Sequence, residues 1–248
     1  MIKDLYNADK VFVWHSGDTE ANWESACKRF GPSWYYYNKP PITYEYNSIG
    51  YRSPEIERVG DDFFIAFGCS HTLGTGLHVE DTYSVILAKQ LNLDYLNFGM
   101  GGAAQNIVWG NSTNWLAEQT KKPKFVILQW PEVERLTIHT DKRINLFLPN
   151  WHGSPDTKKS ERNMYLYMLD SEDYLRQQAL MYYKNTNLLW QLAGIPTVNF
   201  TLAKGAGELF GIKCFEGWTT NESLAARDLV HPGPEFNRQM AEFIKSQL

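Results

Sequence analysis

Three stretches of this chain carry side chains that can do chemistry. The first is Gly68-Cys69-Ser70-His71-Thr72-Leu73-Gly74, where a serine sits between glycines just after an apolar run. A nucleophilic serine needs an exposed hydroxyl and a backbone amide free to face the oxyanion that attack creates. An ordinary Gly/Ser turn has the same composition, and the Gly-x-Ser-x-Gly pattern of a nucleophile elbow is not present. The second is Asp228-Leu229-Val230-His231-Pro232-Gly233. At one strand end, its imidazole can take the proton of Ser70 while its carboxylate holds the tautomer and stabilises the imidazolium. A capping aspartate and a surface histidine is the plain alternative. The third is Asn97-Phe98-Gly99-Met100-Gly101-Gly102. Its glycines allow close backbone approach and leave amides pointing at a bound anion, or they serve chain geometry alone. A dinucleotide loop is not supported: the sixth position of Gly-x-Gly-x-x-Gly is Ala104, and no ribose-binding acid follows at about 20 residues.

Metal and disulfide chemistry find little support. The other histidines, His15, His71, His78, His139 and His152, lack helical His-x-x-x-His spacing. No metal and no other cofactor is expected. Cys27, Cys69 and Cys214 are odd in number and widely spaced, which fits neither a disulfide framework nor a Cys-rich zinc site. Cys69 is a rival thiol nucleophile beside Ser70, or a small buried residue behind the site.

The elements that must position these residues follow from periodicity. Phe63 to Phe67 is a short apolar run ending at Gly68, as expected of a buried parallel strand. Residues 82–92 have helical spacing, Asp94 to Phe98 reads as a second strand, 103–119 as a helix and Lys124 to Trp130 as a third strand. Residues 139–160 hold Pro149, Gly153 and Pro155 and read as an irregular insertion. A long helix is expected at 171–193, stopped by Gly194 and Pro196, then a strand from Pro196 to Leu202. A Gly-rich loop region at 203–231 and an amphipathic helix at 234–247 close the chain. Strand alternating with helix predicts a three-layer α/β/α sandwich with a mostly parallel, flavodoxin-like sheet. Active sites in such folds collect at the carboxyl ends of strands, here the loops after 67, 98, 130 and 202. Residues 1–60 read as an irregular, aromatic-rich N-terminal extension on a main domain at 61–248, with an insertion at about 139–190. Thr43 to Tyr46 alternates like a short strand.

Taken together, the three stretches stand in the order of the SGNH (GDSL-like) hydrolase family. Phe67 to Gly76 resembles that family's first block, Gly-Asp-Ser followed by Gly-x-Gly, and Glu80 through Leu91 looks like the helix after it. Asn97 to Gly102 resembles the second block, Asn-x-Gly-x-x-Gly, and Asp228 to His231 matches the last, Asp-x-x-His. Asn47 to Arg52 looks like a segment that precedes the first block in some members. The matched core spans about residues 44–135 and 196–248. The resemblance implies Ser70 as nucleophile, His231 as general base and Asp228 as its orienting partner. The backbone amides of Ser70 and Gly102 would be two donors of an oxyanion hole. The aspartate before the serine is Cys69 here, and the third block's asparagine donor is missing from Gln129-Trp130-Pro131-Glu132-Val133-Glu134-Arg135. Gln129, Trp130 and Arg135 are the candidates for substrate binding in that stretch; either Gln129, Arg135 or another residue replaces the missing donor, or the enzyme is slow. The implied activity is a serine-dependent ester hydrolase removing a small acyl group, such as acetyl, from a carbohydrate or similar ester. The alternatives are a catalytically weak or inactive module of the same fold, serving glycan binding or assembly, and acyl transfer by the same residues.

Composition narrows the partners. The 248 residues carry 24 Lys and Arg against 28 Asp and Glu, a net charge of −4, which argues against a nucleic-acid binder. A small-molecule or glycan ester is the expected partner. The apolar stretch near the N-terminus, Val11 to Trp14, is too short for a signal peptide, and no run approaches a membrane span. A cytoplasmic location is expected, or a virus particle were the chain virus-encoded. The Asn-x-Ser/Thr sequons at Asn111, Asn199 and Asn221 then read as chance. Aromatic residues make up 15% of the chain, and Trp14, Trp34 and Tyr35 to Tyr37 are candidates either for a sugar-stacking platform or for covering apolar surface. Asn150, Trp151 and His152 are candidates for a pocket rim.

Overall fold

A computed structural model describes residues 2–3, 7–15, 17–38, 41–140, 143–148, 151–152, 157–171, 173–217 and 225–248. In chain order the elements are β1 (Val11–Phe12), α1 (Glu20–Phe30), β2 (Tyr44–Glu45), β3 (Phe63–Gly68), α2 (Ser70–Leu73), α3 (Tyr83–Leu91) and β4 (Asp94–Gly99). They continue with α4 (Gln105–Glu118), β5 (Val126–Trp130), β6 (Leu136–Thr140), β7 (Arg143–Leu148) and β8 (Trp151–His152). The last are α5 (Lys159–Asp170), α6 (Tyr174–Leu192), β9 (Thr197–Thr201), α7 (Lys204–Phe210), β10 (Lys213–Cys214) and α8 (Pro234–Ser246).

The central sheet has five strands in the order β10-β9-β5-β3-β4, and every pair is parallel. The chain starts at β3, steps to the edge at β4, then crosses back to β5, β9 and β10, which is flavodoxin-like order. Alternation along β3 divides the core into two layers. Phe63, Ile65 and Phe67 face a cluster with Ile107 and Trp115 of α4, Ala179 and Trp190 of α6, and Phe210 of α7. Phe64 and Ala66 face Tyr83 and Leu87 of α3 with Met240 and Ile244 of α8. All six residues of β3 are buried, which explains the unbroken apolar run. The strand order reverses between β3 and β5, and their carboxyl ends are where a ligand crevice opens in this architecture.

Three expectations need correction. Residues 1–60 contain a regular helix, α1, whose N-cap Thr19 accepts a hydrogen bond from the Asn22 amide at 3.2 Å. Only Ala26 of this helix is buried, so its apolar stripe is too thin to read from periodicity. The insertion holds an antiparallel sheet, β6-β7-β8, and a separate helix, α5. Its strands are short and find their partners across the sheet rather than in their own pattern. The loop region at 203–231 contains α7 despite Gly205 and Gly207. Gly207 is needed there: a Cβ would lie 2.9 Å from Cys214 Cβ, so the glycine lets α7 sit against β10.

The N-terminal segment builds a third cluster, with Trp34, Tyr36, Ile42, Tyr44 and Tyr46 buried together against Leu73 of α2. β1 and β2 pair antiparallel, with Val11 opposite Glu45.

Candidate active site

Ser70 is the first residue of α2, immediately beyond the carboxyl end of β3. The turn into this helix is held from β5. Gln129 Oε1 accepts from the Cys69 amide at 3.0 Å, the Cys69 thiol at 3.1 Å and the Thr72 hydroxyl at 3.2 Å. Its Nε2 donates to the Trp130 carbonyl at 3.0 Å. A Cβ on Gly68 would lie 2.1 Å from Thr72 Oγ1 and 2.7 Å from Gln129 Oε1, so only glycine admits this closure. From the other side, Asn97 Nδ2 donates to the Thr72 carbonyl at 2.7 Å. The Gly99 turn packs so closely that a Cβ there would lie 2.3 Å from Leu73 N. The Met100 amide donates to the Gly68 carbonyl at 3.1 Å, which ties the turn through Gly102 to the strand end that carries Ser70. Gly102 has φ +71 in that turn, the left-handed region where glycine has no Cβ penalty.

The Asp228–His231 turn meets this helix from the far end of the chain. His231 Nε2 lies 2.8 Å from Ser70 Oγ, across 161 positions of sequence. His231 Nδ1 is hydrogen-bonded to Asp228 Oδ2. The other carboxylate oxygen accepts the Val230 and His231 amides, both at 3.1 Å. The turn is closed by Ala226 N donating to His231 O at 2.8 Å, and Leu229 takes φ +59 within it. For a leucine that conformation costs on the order of 1–2 kcal/mol, held by the surrounding bonds. Burial tends to raise the Asp228 carboxyl, but hydrogen bonds from the His231 ring, its charge and the two amides outweigh burial and hold it below the ordinary aspartate value. Asp228 therefore stays ionised beside the imidazole. A hydroxyl at this distance from an imidazole whose other nitrogen is held by a carboxylate can lose its proton as it attacks.

The flanking residues sort themselves by burial. Cys69 is fully buried and its thiol points at Gln129; burial raises its pKa, the opposite of what an activated thiolate requires. His71 packs its ring against His231, centroids 5.1 Å apart and planes at 62°. Burial, then the charges of His231 and Arg135, push His71 well below the usual histidine value, so it stands neutral. Arg135 is buried, its Nε ion-pairs with Glu132, and its guanidinium lies beside the Cys69 sulfur. Among the described residues Arg135 Nη1 has no hydrogen-bond partner.

Gln129 and Trp130 do not fit the substrate-binding part expected of them. Both have 0% exposure. The Gln129 carboxamide is spent on the turn around Cys69. Trp130 donates from Nε1 to Asn199 Oδ1 at 2.8 Å and packs its ring on Tyr183 and Phe210. They are fully apposed to protein because β5 is a central strand with both faces covered. Of the aromatic candidates, Trp34 and Tyr36 are core residues, 4% and 1% exposed, whereas Trp14 and Tyr37 are half-buried and Tyr35 is exposed and donates to Asp81. Asn150 and the side chains of Trp151 and His152 lie outside the described residues. Of the sequons, Asn111 is buried and bonded to Tyr51, and Asn221 lies outside the described residues.

Sequence reasoning missed a second layer. Asp18, Tyr44 and Arg227 are buried side chains that form one polar network behind the Asp228–His231 turn. Their types are ordinary and their positions far apart, so no local signal marks them. Among the described residues no group of three or more His, Cys, Asp or Glu is placed to hold a metal, and no helix is long and apolar enough to cross a membrane.

The molecule is thus a three-layer α/β/α protein with a serine, a histidine and an aspartate in hydrogen-bonded sequence at the carboxyl edge of its sheet. No family model matches the chain, and no curated protein matches it. Among solved structures it is similar to a carbohydrate esterase whose active site displays divergent catalytic and non-catalytic binding functions (TM-score 0.49, 12% identity, 75% of this chain and 64% of that one). It is also similar to a G-D-S-L family protein from Desulfitobacterium hafniense DCB-2 (TM-score 0.46, 12% identity, 75% of this chain and 99% of that one). A third is the psychrotrophic esterase EstA from Pseudoalteromonas sp. (TM-score 0.45, 10% identity, 75% of this chain and 95% of that one). These likenesses concern the fold.

Proposed function

We propose that this chain is a serine ester hydrolase that removes a small acyl group. The observation that carries the reading is the 2.8 Å contact between Ser70 Oγ and His231 Nε2, with Nδ1 of the same ring held by Asp228. Ser70 Oγ attacks the ester carbonyl carbon as its proton passes to His231 Nε2. The tetrahedral intermediate collapses, and the imidazolium returns the proton to the leaving alkoxide oxygen. The acyl group remains on Ser70. Water then attacks the acyl carbon, His231 takes a proton from it, and the acid leaves as the proton returns to Ser70 Oγ.

The oxyanion needs donors that exist before it forms. The amides of Ser70 and Gly102 serve here, and we assign the third place to Arg135. Among the described residues its buried Nη1 has no hydrogen-bond partner, while Gln129 is fully committed to the Cys69 turn. A small acyl group, acetyl in the first instance, suits a serine only 8% exposed beside a histidine side chain 16% exposed. An acetylated carbohydrate is the first natural substrate to test. The second reading, a binding or assembly module of this fold with weak or no turnover, is favoured by the same inward-facing Gln129, because no carboxamide replaces the missing asparagine.

The test uses p-nitrophenyl acetate and acetylated xylan with Ser70→Ala as control, together with labelling of Ser70 by a fluorophosphonate. Turnover by the wild type that Ser70→Ala loses, with labelling at Ser70, is the expected result. Equal rates for both proteins overturn the esterase reading for these substrates. Glycan binding without turnover or labelling favours the module.

A further inference from the structure

The N-terminal segment reaches the Asp228–His231 turn through one closed ring of buried hydrogen bonds. Arg227 Nε donates to Asp18 Oδ1 at 2.8 Å and its Nη2 to Asp18 Oδ2 at 2.6 Å, a bidentate pair whose side chains are 4% and 1% exposed. The Tyr44 hydroxyl donates to the same Oδ2. The Gly76 amide donates to the Tyr44 oxygen at 2.8 Å, and the Arg227 amide donates to the Gly76 carbonyl at 2.9 Å, which completes the circuit. Arg227 Nη2 also reaches the Val13 carbonyl at 3.0 Å, and its Cζ stands 4.1 Å from the centre of the Trp14 ring.

This ring joins both halves of the site. Gly76 closes the loop that follows Ser70 and its helix, and Arg227 directly precedes Asp228 in the chain. The packing between them is tight: a Cβ on Gly76 would lie 3.0 Å from Asp228 Oδ1 and 2.9 Å from Ala226 Cβ. The Asp228–His231 turn itself holds a leucine at positive φ, so it needs outside support to keep its shape. A planar guanidinium gripped at two nitrogens fixes position and direction together, which a single contact does not.

We propose that Asp18 is a positioning residue: by clamping Arg227 it sets the Asp228–His231 pair against Ser70, so the N-terminal segment is part of the site's machinery. Its kinetic consequence rests on the esterase reading above; its geometric consequence does not. Removing one member alone would leave an unpaired buried charge and confuse clamp loss with unfolding. The test therefore replaces both, Asp18→Leu with Arg227→Met, and reads two quantities. The first is the downfield proton NMR resonance of the His231 Nδ1 hydrogen held by Asp228. The second is kcat and KM for p-nitrophenyl acetate, with the thermal transition as a check on folding.

The expected result is a folded double variant that has lost the resonance and shows kcat lowered about 10–100-fold with KM changed less than about twofold, as befits a displacement of the reacting groups on the order of 1 Å. A loss of stability alone would leave the resonance and kcat in the folded protein unmoved. A resonance retained in the variant, or absent from the wild type, overturns the proposal. Wild-type protein that holds the resonance but neither turns over nor labels at Ser70 sinks the esterase reading, and the NMR comparison still decides the clamp. Should the double variant not fold, Arg227→Lys keeps the charge, loses the fork and is read in the same way.

Discussion

Gln129 Oε1 accepts a hydrogen bond from the Cys69 amide at 3.0 Å, so the residue before the serine is anchored by a side chain from the next strand. That oxygen takes two further donors, the Cys69 thiol and the Thr72 hydroxyl. Gln129→Leu strands these donors in a dry interior, at about 1–3 kcal/mol for each buried group left unpaired. We expect the thermal midpoint to fall by several degrees, at roughly 2–4 °C per kcal/mol for a chain of this size. Fluorophosphonate labelling of Ser70 should slow more than tenfold. Gln129→Glu keeps an acceptor oxygen but puts a carboxyl group in a fully buried site facing the Trp130 carbonyl, so calorimetry should also show a lowered midpoint.

Two glycines make a contrasting pair. A Cβ at Gly99 would lie 2.3 Å from the backbone nitrogen of Leu73, so Gly99→Ala must push α2 away from β4. Overpacking of this kind costs about 1–3 kcal/mol or more, and here it also moves the helix that begins with Ser70. At Gly205, by contrast, a Cβ meets nothing within 4 Å. Gly205→Ala should be neutral or stabilise by up to about 1 kcal/mol through helix propensity. Urea unfolding of the two variants checks both signs.

His71 sets a pH dependence of stability. Burial, followed by the charges of His231 and Arg135, holds its folded value well below that of the unfolded chain. Between the folded value and the unfolded value of about 6.5, the unfolded chain binds the extra proton, so stability rises with pH there. The contribution is fully present above about pH 6.5 and is lost as pH falls toward the folded value. The lowered Asp228 carboxyl adds loss in the same direction at more acid pH, below the ordinary aspartate range. Urea midpoints should drop between pH 7 and pH 5, and His71→Gln should show a smaller drop. Equal drops in the two proteins would remove His71 from the account.

Arg135 is the group assigned to the third oxyanion place. Arg135→Met should lower kcat on p-nitrophenyl acetate by about 10²–10³, the usual effect of removing one such donor, with KM little changed. Arg135→Lys keeps the charge but not the geometry of the fork and should recover only part of the rate. A KM that rises while kcat holds would instead make Arg135 a substrate-binding group, by steady-state measurement on both proteins.

Much of this protein is written locally in its residues. The apolar run Phe63–Phe67 ending in glycine, the helical spacing of 83–91 and the closing helix 234–246 sit where period and punctuation put them, because each element buries a face it already carries. Ser70, Asp228 and His231 were legible as chemical types in suggestive surroundings. What local pattern did not carry was whatever depends on a partner far along the chain. β6, β7 and β8 exist by pairing with one another; α7 exists because Gly207 admits Cys214; α1 shows too little apolar surface to announce itself. Gln129 and Trp130 were polar and aromatic residues beside a candidate site, and only the placement of β5 between β3 and β9 decided that both would be sealed inside.

The sequence by itself determined the inventory: which side chains can attack, accept a proton or steady a charge, and the periodicities that make a parallel sheet with helices on both faces. The tertiary structure alone decided distance. It set Ser70 within 2.8 Å of His231, turned Gln129 inward, buried Arg135 beside Glu132 and closed Asp18 on Arg227. The reason is physical: propensity and periodicity act within a few residues, whereas a hydrogen bond between positions 70 and 231 exists only after the chain has packed two clusters against opposite faces of one sheet.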